Sequence, residues 1–469
     1  MISSVSLQQL CQALIRSSIG TDSMIKNLES DMLSSRFSAV STDTRTLQKG
    51  DLFIALRGDN FDGHNYLQQA QKLGACALVV EKECPEIKLA QVLVSDTTLA
   101  LGCIAAINRE KFIGPLLAIT GSCGKTTVKE MLVSVLSGCG KVHATKGNFN
   151  NHIGMPLTLI DLAALDEYAV IEMGASGAGE IDYLVGLAKP SVALVNNVMA
   201  AHVEGFGSID SIARAKAEIY HGLDESGIAI INLDDNYASD MICALSTQQH
   251  LTFSLFNSSA DVYAKNIKEC IGEGIDFTLC TPVGEAYIHL SVLGQHNLAN
   301  ALAASCCALS VGANLQDITA GLENFKAVSG RLNIEAGLHG CTVIDDSYNA
   351  NPGSVCAAID AIKNIPGEKI LVLGDMAELG DEAQASHAQV GRYAYDAGLQ
   401  AIYGVGPLSK FSVEAFGPHG KVFSRQSDLI ELLKNNVSDD TLILVKGSRS
   451  SRMDVVAQAL IHENSGVQR

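Results

Sequence analysis

The stretch Thr120-Gly121-Ser122-Cys123-Gly124-Lys125-Thr126-Thr127 constrains this chain more than any other. It lies between a short apolar run, Leu116–Thr120, and a helical pattern that opens at Lys125. A glycine turn leading from strand to helix aims backbone N–H groups and the positive end of a helix at one point. Phosphate oxygens fit there. Lys125 is placed to reach terminal phosphates, and Thr126 to offer its hydroxyl to Mg²⁺. Gly121, Ser122, Cys123, Gly124 and Thr127 complete the loop. A full phosphate-loop pattern puts its first glycine at position 119, which is isoleucine here. A helix-capping turn is therefore the competing reading. Cys123 reads as a tolerated small residue rather than a reactive thiol.

The apolar runs around this loop predict its setting. Tyr168–Glu172, Val192–Asn196 and Ile228–Asn232 read as further strands separated by helical stretches. Such alternation predicts a doubly wound parallel sheet over residues 98 to 326. The rhythm repeats from 327 to 469, with strands at Thr342–Asp345, Lys369–Leu373, Ala401–Val405 and Thr441–Val445. Residues 1 to 97 mix short β-prone segments, Asp51–Leu56 and Ala75–Val80 among them, with turns. The 469 residues suit three domains at the usual size of ~150 residues each.

Composition narrows the function. A formal charge of -18 disfavours nucleic acid as the main partner. Thirteen cysteines without a Cys-x-x-Cys pair predict free thiols in a reducing compartment. No secretory leader and no membrane-spanning run is predicted, so the chain reads as cytoplasmic.

Three residues beyond the loop carry chemistry. Glu172 ends a strand, where an acid can hold Mg²⁺ or be an ordinary strand-end charge. His202 follows another strand end, after Asn196-Asn197. Lys216 falls within an apolar helical stripe of Ile209, Ile212, Ala213, Ile219, Tyr220 and Leu223. Burial there favours the neutral amine, which can take up carbon dioxide as a carbamate; the alternative is a lysine that snorkels to solvent.

In order along the chain, these pieces resemble the Mur ligase family. The resemblance rests on the loop, then Asn150-Asn151-x-x-Gly154-x-Pro156, Glu172-Met173-Gly174, and His202 with Lys216. Gly294-Gln295-His296-Asn297-x-x-Asn300-Ala301 and Gly330-Arg331 follow. Within the family, the stretches Asp345–Pro352, Leu373–Gly380 and Lys446-Gly447-Ser448-Arg449 resemble the branch that adds D-alanyl-D-alanine. The Asp-Asn-Pro-Arg signature of the enzyme adding the third residue is absent.

The resemblance implies an ADP-forming amide ligase that joins D-alanyl-D-alanine to a UDP-N-acetylmuramoyl tripeptide through an acyl phosphate. Its α/β domains would be an N-terminal UDP-sugar domain, a central ATPase-like domain and a C-terminal Rossmann-like domain. Thr126 and Glu172 are implied at one Mg²⁺ site; His202, Glu172 and a carbamylated Lys216 are implied at a second. Lys125, Glu172, His202 and Lys216 form the implied catalytic set. His296, Asn297 and Asn300 are implied near adenine, with Arg331 and Asp346 near ribose and phosphates. Ser41, Thr42 and Arg45, together with Asn150 and Asn151, are implied for the muramoyl substrate. Asn349, Asn351, Lys446 and Arg449 are candidates for the dipeptide carboxylate, with helix capping as their alternative. A monomer is expected. The rival readings are another Mur ligase, a folylpolyglutamate synthase-like ligase, or a nucleotide-dependent switch.

Overall fold

Each residue of Leu116–Thr120 is buried, and successive side chains enter different cores. Leu116 and Ala118 join one apolar cluster; Leu117 and Ile119 join another. A strand buried on both faces must be covered by helices on both sides. The computed structural model, which describes residues 1–19, 25–26, 33–58, 60–200, 203–245, 248–270 and 272–461, supplies them. Helices Thr97–Arg109, Gly154–Ile160 and Glu180–Ala188 contribute to the first cluster. Lys125–Leu136, Gln295–Ser310 and Leu315–Glu323 contribute to the second.

Leu116–Thr120 pairs in parallel with Tyr168–Glu172 on one side and Val192–Val195 on the other. Val142–Ala144 closes one edge of this nine-stranded sheet. On the other side Ile228–Asn232, Gln249–Ser254 and the start of Val262–Cys270 continue the parallel order. The sheet then departs from the expected parallel pattern. Val262–Cys270, Gly274–Thr281 and Gly284–Leu290 run back and forth as an antiparallel meander. Ile275, Phe277 and Leu279 point into the core while the residues between them face outward. That period of two marks a sheet with one wet face.

The first sheet orders Ile25–Lys26, Gln91–Leu93, Ala77–Val80, Leu52–Ile54 and Val40–Ser41, parallel except at its first pair. Its Leu52, Val79 and Val92 belong to the same apolar cluster as Leu116, so the first and central blocks share a core. The last sheet orders Asn333–Ala336, Thr342–Asp346, Thr441–Lys446, Glu368–Gly374, Ala401–Val405 and Gly420–Phe423, antiparallel only at its first pair. It too has a separate core on each face. All thirteen cysteines are free. Among the described residues, no helix is long and apolar enough to cross a membrane.

Candidate active site

The glycine turn is held open by its neighbours. Gly124 has φ +80°, and a Cβ there would lie 2.4 Å from Asn300 Oδ1 and 2.5 Å from Asn196 Nδ2. Only glycine meets both the left-handed backbone and the close approach. The Ser122 N–H donates to the Asn197 carbonyl at 2.9 Å, and the Cys123 N–H to Asn197 Oδ1 at 2.8 Å. Asn196 Nδ2 donates to the Cys123 carbonyl at 3.0 Å and to Asn300 Oδ1 at 2.9 Å. Asn196 and Asn197 therefore shape the loop. The sequence reading passed over them as the approach to His202, although two amides at a strand end were the available signal.

Lys125 opens the helix Lys125–Leu136, and its Nζ folds back to donate to the Gly121 carbonyl at 2.6 Å. Burial depresses its pKa, opposed by the Glu172 charge. Glu172 is buried at the end of its strand. Its Oε2 accepts the Thr126 hydroxyl at 2.9 Å, and its Oε1 accepts Asn150 Nδ2 at 2.8 Å. Its N–H donates to Thr145 Oγ1. The Thr126 hydroxyl also accepts Arg331 Nη2 at 3.0 Å, from 205 residues away.

Lys216 is only 3% exposed, so it does not snorkel. It sits in the last turn of Ile209–Ala217, and the chain continues as the tighter helix Glu218–Gly222. Ile212, Ala213, Ile219, Tyr220 and Leu223 are buried beside it, whereas Ile209 is 42% exposed and leaves the expected stripe. Burial pulls the Lys216 pKa down to about 7, assisted by the nearby Lys125 charge and opposed by Cys123. Lys125, Lys216 and Cys123 thus share one neighbourhood. His202 lies outside the described residues.

The implied adenine-side residues form a buried chain leading to the loop. Asn297 Nδ2 donates to the Leu293 carbonyl at 2.8 Å, and Asn300 Nδ2 to Asn297 Oδ1 at 3.2 Å. Burial pulls the neighbouring His296 pKa down to about 4, with the Lys446 charge adding to the effect. That imidazole is neutral near pH 7.

The C-terminal sheet brings its own strand ends to the same place. Arg331 lies over the Tyr348 ring at 4.3 Å, and Arg449 lies 5.5 Å from the same ring. Asp346 Oδ2 accepts Lys446 Nζ at 2.6 Å, and Lys446 also donates to the Asn349 carbonyl at 2.9 Å. Asn349 Oδ1 turns to the Ala350 N–H. Asn351 caps the helix Pro352–Ile362 through Ser354 N–H, and its Nδ2 donates to Cys123 Sγ at 3.2 Å. In this arrangement Lys446, Asn349 and Asn351 are engaged by the protein itself, while Arg449 lies by the Tyr348 ring. Asp346→Ala strands the buried Lys446 cation. It should cost about 3–5 kcal/mol of stability, read as a lowered melting transition.

The remaining predicted residues lie in turns. Ser41 Oγ donates to the Asp43 carbonyl, and Thr42 stands beside it. Arg45 is paired with Asp43, its side chain 86% exposed. Those hydrogen bonds hold the Asp43 carboxyl down at about 2. Asn151 is exposed, and its Oδ1 accepts the N–H groups of Ile153 and Gly154. Of the predicted set, Lys125, Thr126, Glu172, Asn150, Arg331 and Asn300 are thus joined, directly or through one residue, around the loop.

Comparison with known proteins gives the family. The Mur ligase middle domain matches residues 119–308, the Mur ligase glutamate ligase domain residues 330–449, and the Mur ligase catalytic domain residues 36–109. The UDP-N-acetylmuramoyl-tripeptide–D-alanyl-D-alanine ligase of Escherichia coli strain K12 is 46% identical, over 90% of this chain and 93% of its own. Its Bacillus subtilis counterpart is 35% identical over 90% and 93%. A crystal structure of MurF from Acinetobacter baumannii superposes with a TM-score of 0.89 at 35% identity, covering 97% of this chain and 98% of that one. The MurF ligase of Thermotoga maritima in complex with ADP superposes at 0.82 with 27% identity, covering 90% and 96%. Shared sequence along nearly its whole length, matching family domains and a superposing fold place this chain in the Mur ligase family.

Proposed function

We propose that the chain joins D-alanyl-D-alanine to a UDP-N-acetylmuramoyl tripeptide, converting ATP to ADP and phosphate, in the cytoplasmic assembly of peptidoglycan precursors. The observation that carries this reading is the meeting of Lys125, Thr126 and Glu172 with Arg331, where two sheets face each other by their strand ends. Relatives named for this reaction align along nearly the whole chain, which favours it over the folylpolyglutamate synthase reading. We assign residues 1–97 to the muramoyl substrate, with Ser41, Thr42, Arg45, Asn150 and Asn151 as contacts. Residues 98–326 are assigned to ATP, with His296, Asn297 and Asn300 toward adenine. Residues 327–469 are assigned to the acceptor dipeptide, with Arg449 as its candidate cation. The chain is proposed to act as a monomer.

The donor set suits a hard divalent cation. A buried carboxylate with both oxygens directed at small polar groups, beside a threonine hydroxyl, offers the oxygen ligands that Mg²⁺ prefers. Thr126 and Glu172 would hold one ion; Glu172, His202 and a carbamylated Lys216 would hold a second. The ions supply charge neutralisation on the phosphates. The residues of the chain do the rest. Lys125 exchanges the Gly121 carbonyl for phosphate oxygens. A tripeptide carboxylate oxygen attacks the γ-phosphorus, and ADP leaves with the electron pair of the broken bond. The dipeptide amine then attacks the acyl carbon, loses a proton to solvent, and expels phosphate. Arg331 ties the C-terminal block to Thr126 and helps close the seam against water.

Purified enzyme offered the muramoyl tripeptide with D-alanyl-D-alanine, D-alanine, D-glutamate or a diamino acid in parallel should consume the dipeptide by a wide margin. ADP should accumulate in quantity only with both substrates present. Preference for any single amino acid sinks the dipeptide assignment.

A further inference from the structure

Far along the central sheet, three metal-ligating side chains from three adjacent strands meet on the wet face of the meander. Cys270 ends Val262–Cys270, Asp276 lies in Gly274–Thr281, and His289 lies in Gly284–Leu290. The strand register brings them together. Asp276 stands directly opposite His289, and Cys270 stands opposite Gly274, two residues from Asp276 on the same face. The opposite face carries Ile275, Phe277, Ile288 and Leu290, all in the core. That burial fixes the register, because a slip of one residue would turn the apolar set outward.

The contacts are short. The Cys270 thiol donates to Asp276 Oδ2 at 3.3 Å, and His289 Nδ1 lies 2.7 Å from Asp276 Oδ1. One ligand atom from each of the three residues falls within 4.8 Å of the others, and all three residues are half-buried. Among the described residues, this is the one group of three or more such side chains with that spacing. A neighbouring pair on the same face, Lys265 and Glu285, is an ion pair that reaches across the strand between them. The Asp276–His289 pair differs because it and the Cys270 thiol all offer metal-ligating atoms, whereas Lys265 brings a cation.

We propose that Cys270, Asp276 and His289 form a binding site for a borderline divalent transition-metal ion of the Zn²⁺ type, separate from the nucleotide site. Thiolate, imidazole and carboxylate are the donors that such an ion takes in tetrahedral coordination, and three protein ligands leave the fourth position to water. Mg²⁺ is a poor match for sulfur and nitrogen donors. On binding, the thiol proton passes to solvent and the imidazole proton occupies Nε2, so that sulfur, Nδ1 and a carboxylate oxygen face the ion. The ion clamps three strands at the sheet's edge. Three strands separate the phosphate-loop strand from the first strand of this meander, so ligation here is independent of turnover.

The test uses the full chain, stripped with chelator, dialysed, saturated with Mg²⁺ and titrated with Co²⁺. One equivalent of Co²⁺ should produce a near-ultraviolet thiolate-to-cobalt charge-transfer band that Zn²⁺ abolishes. Cys270→Ser should lose the band, and His289→Ala should weaken Co²⁺ binding. Both variants should retain wild-type turnover with ATP and Mg²⁺, which also reports that they fold. Zn²⁺ should raise the melting temperature of the wild type and not that of Cys270→Ser. No thiolate band in the wild type, or an undiminished band in Cys270→Ser, overturns the proposal. Asp276→Asn, which keeps the shape of the side chain, supplies a second variant: an unchanged Co²⁺ titration in it also counts against the site.

Discussion

Lys125→Ala should lower turnover at saturating ATP by about a hundred- to a thousandfold, the usual effect of removing one preorganised charge from a transition state, and leave melting unimpaired. Both halves of this expectation come from the same contact. Lys125 Nζ donates to the Gly121 carbonyl. Burial opposes its charge, since its pKa is depressed even with Glu172 near. The free protein therefore holds this cation at some cost, which alanine removes. On the proposed reading, what alanine cannot supply is charge against the phosphoryl oxygens as the γ-phosphorus changes partners. Turnover close to wild type would dismiss the phosphate-loop assignment, whereas a collapse of the melting transition would make Lys125 a structural residue.

Lys216→Ala should lose activity on a similar scale, about a hundredfold or more by the same argument, and short carboxylic acids added to the buffer should restore part of it. Its amine ionises near 7 in the folded chain, against an ordinary value of 10.5. Between those values the unfolded chain binds the extra proton, so folding stability rises with pH across that window and is lowest below pH 7. Lys216→Met should thus gain most in melting temperature over wild type at pH 6, and less at pH 9. On the proposed reading, the same free amine takes up carbon dioxide. Wild-type activity should fall in carbon dioxide-free buffer and return with bicarbonate, while Lys216→Ala should respond to neither. An active Lys216→Ala, indifferent to carboxylic acids, rejects the carbamate.

Local patterns carried most of the architecture. Leu116–Thr120, Tyr168–Glu172, Ile228–Asn232 and Ala401–Val405 are strands with the bounds that their apolar runs suggest. The meander from Val262 to Leu290 escaped notice because its outward residues, Asp276 and Thr278, break the apolar runs by which buried parallel strands are recognised. In the site, the turn and the strand-end acid were legible because strand, glycine and helix are contiguous. The pairing of Asp346 with Lys446, 100 residues apart, was not. No local pattern announces which strand ends will meet, so Lys446 read as a free cation for substrate. The lysine stripe was legible up to Ile209, where the end of a short helix lets the side chain reach solvent.

The amide lock on the glycine turn also dictates when, during synthesis, the turn acquires its shape. Asn196 follows the loop by some seventy residues, and Asn300 follows Asn196 by 104. A nascent chain that has emerged only as far as the meander has the strand, the glycines and Lys125 but not the helix Gln295–Ser310 that holds Asn300 against the turn. Domains fold as units while the ribosome is still adding residues. The turn, and with it the proposed phosphate cradle, is therefore finished by a late-arriving helix, and on that reading nucleotide does not seed the assembly of the earlier part of the sheet.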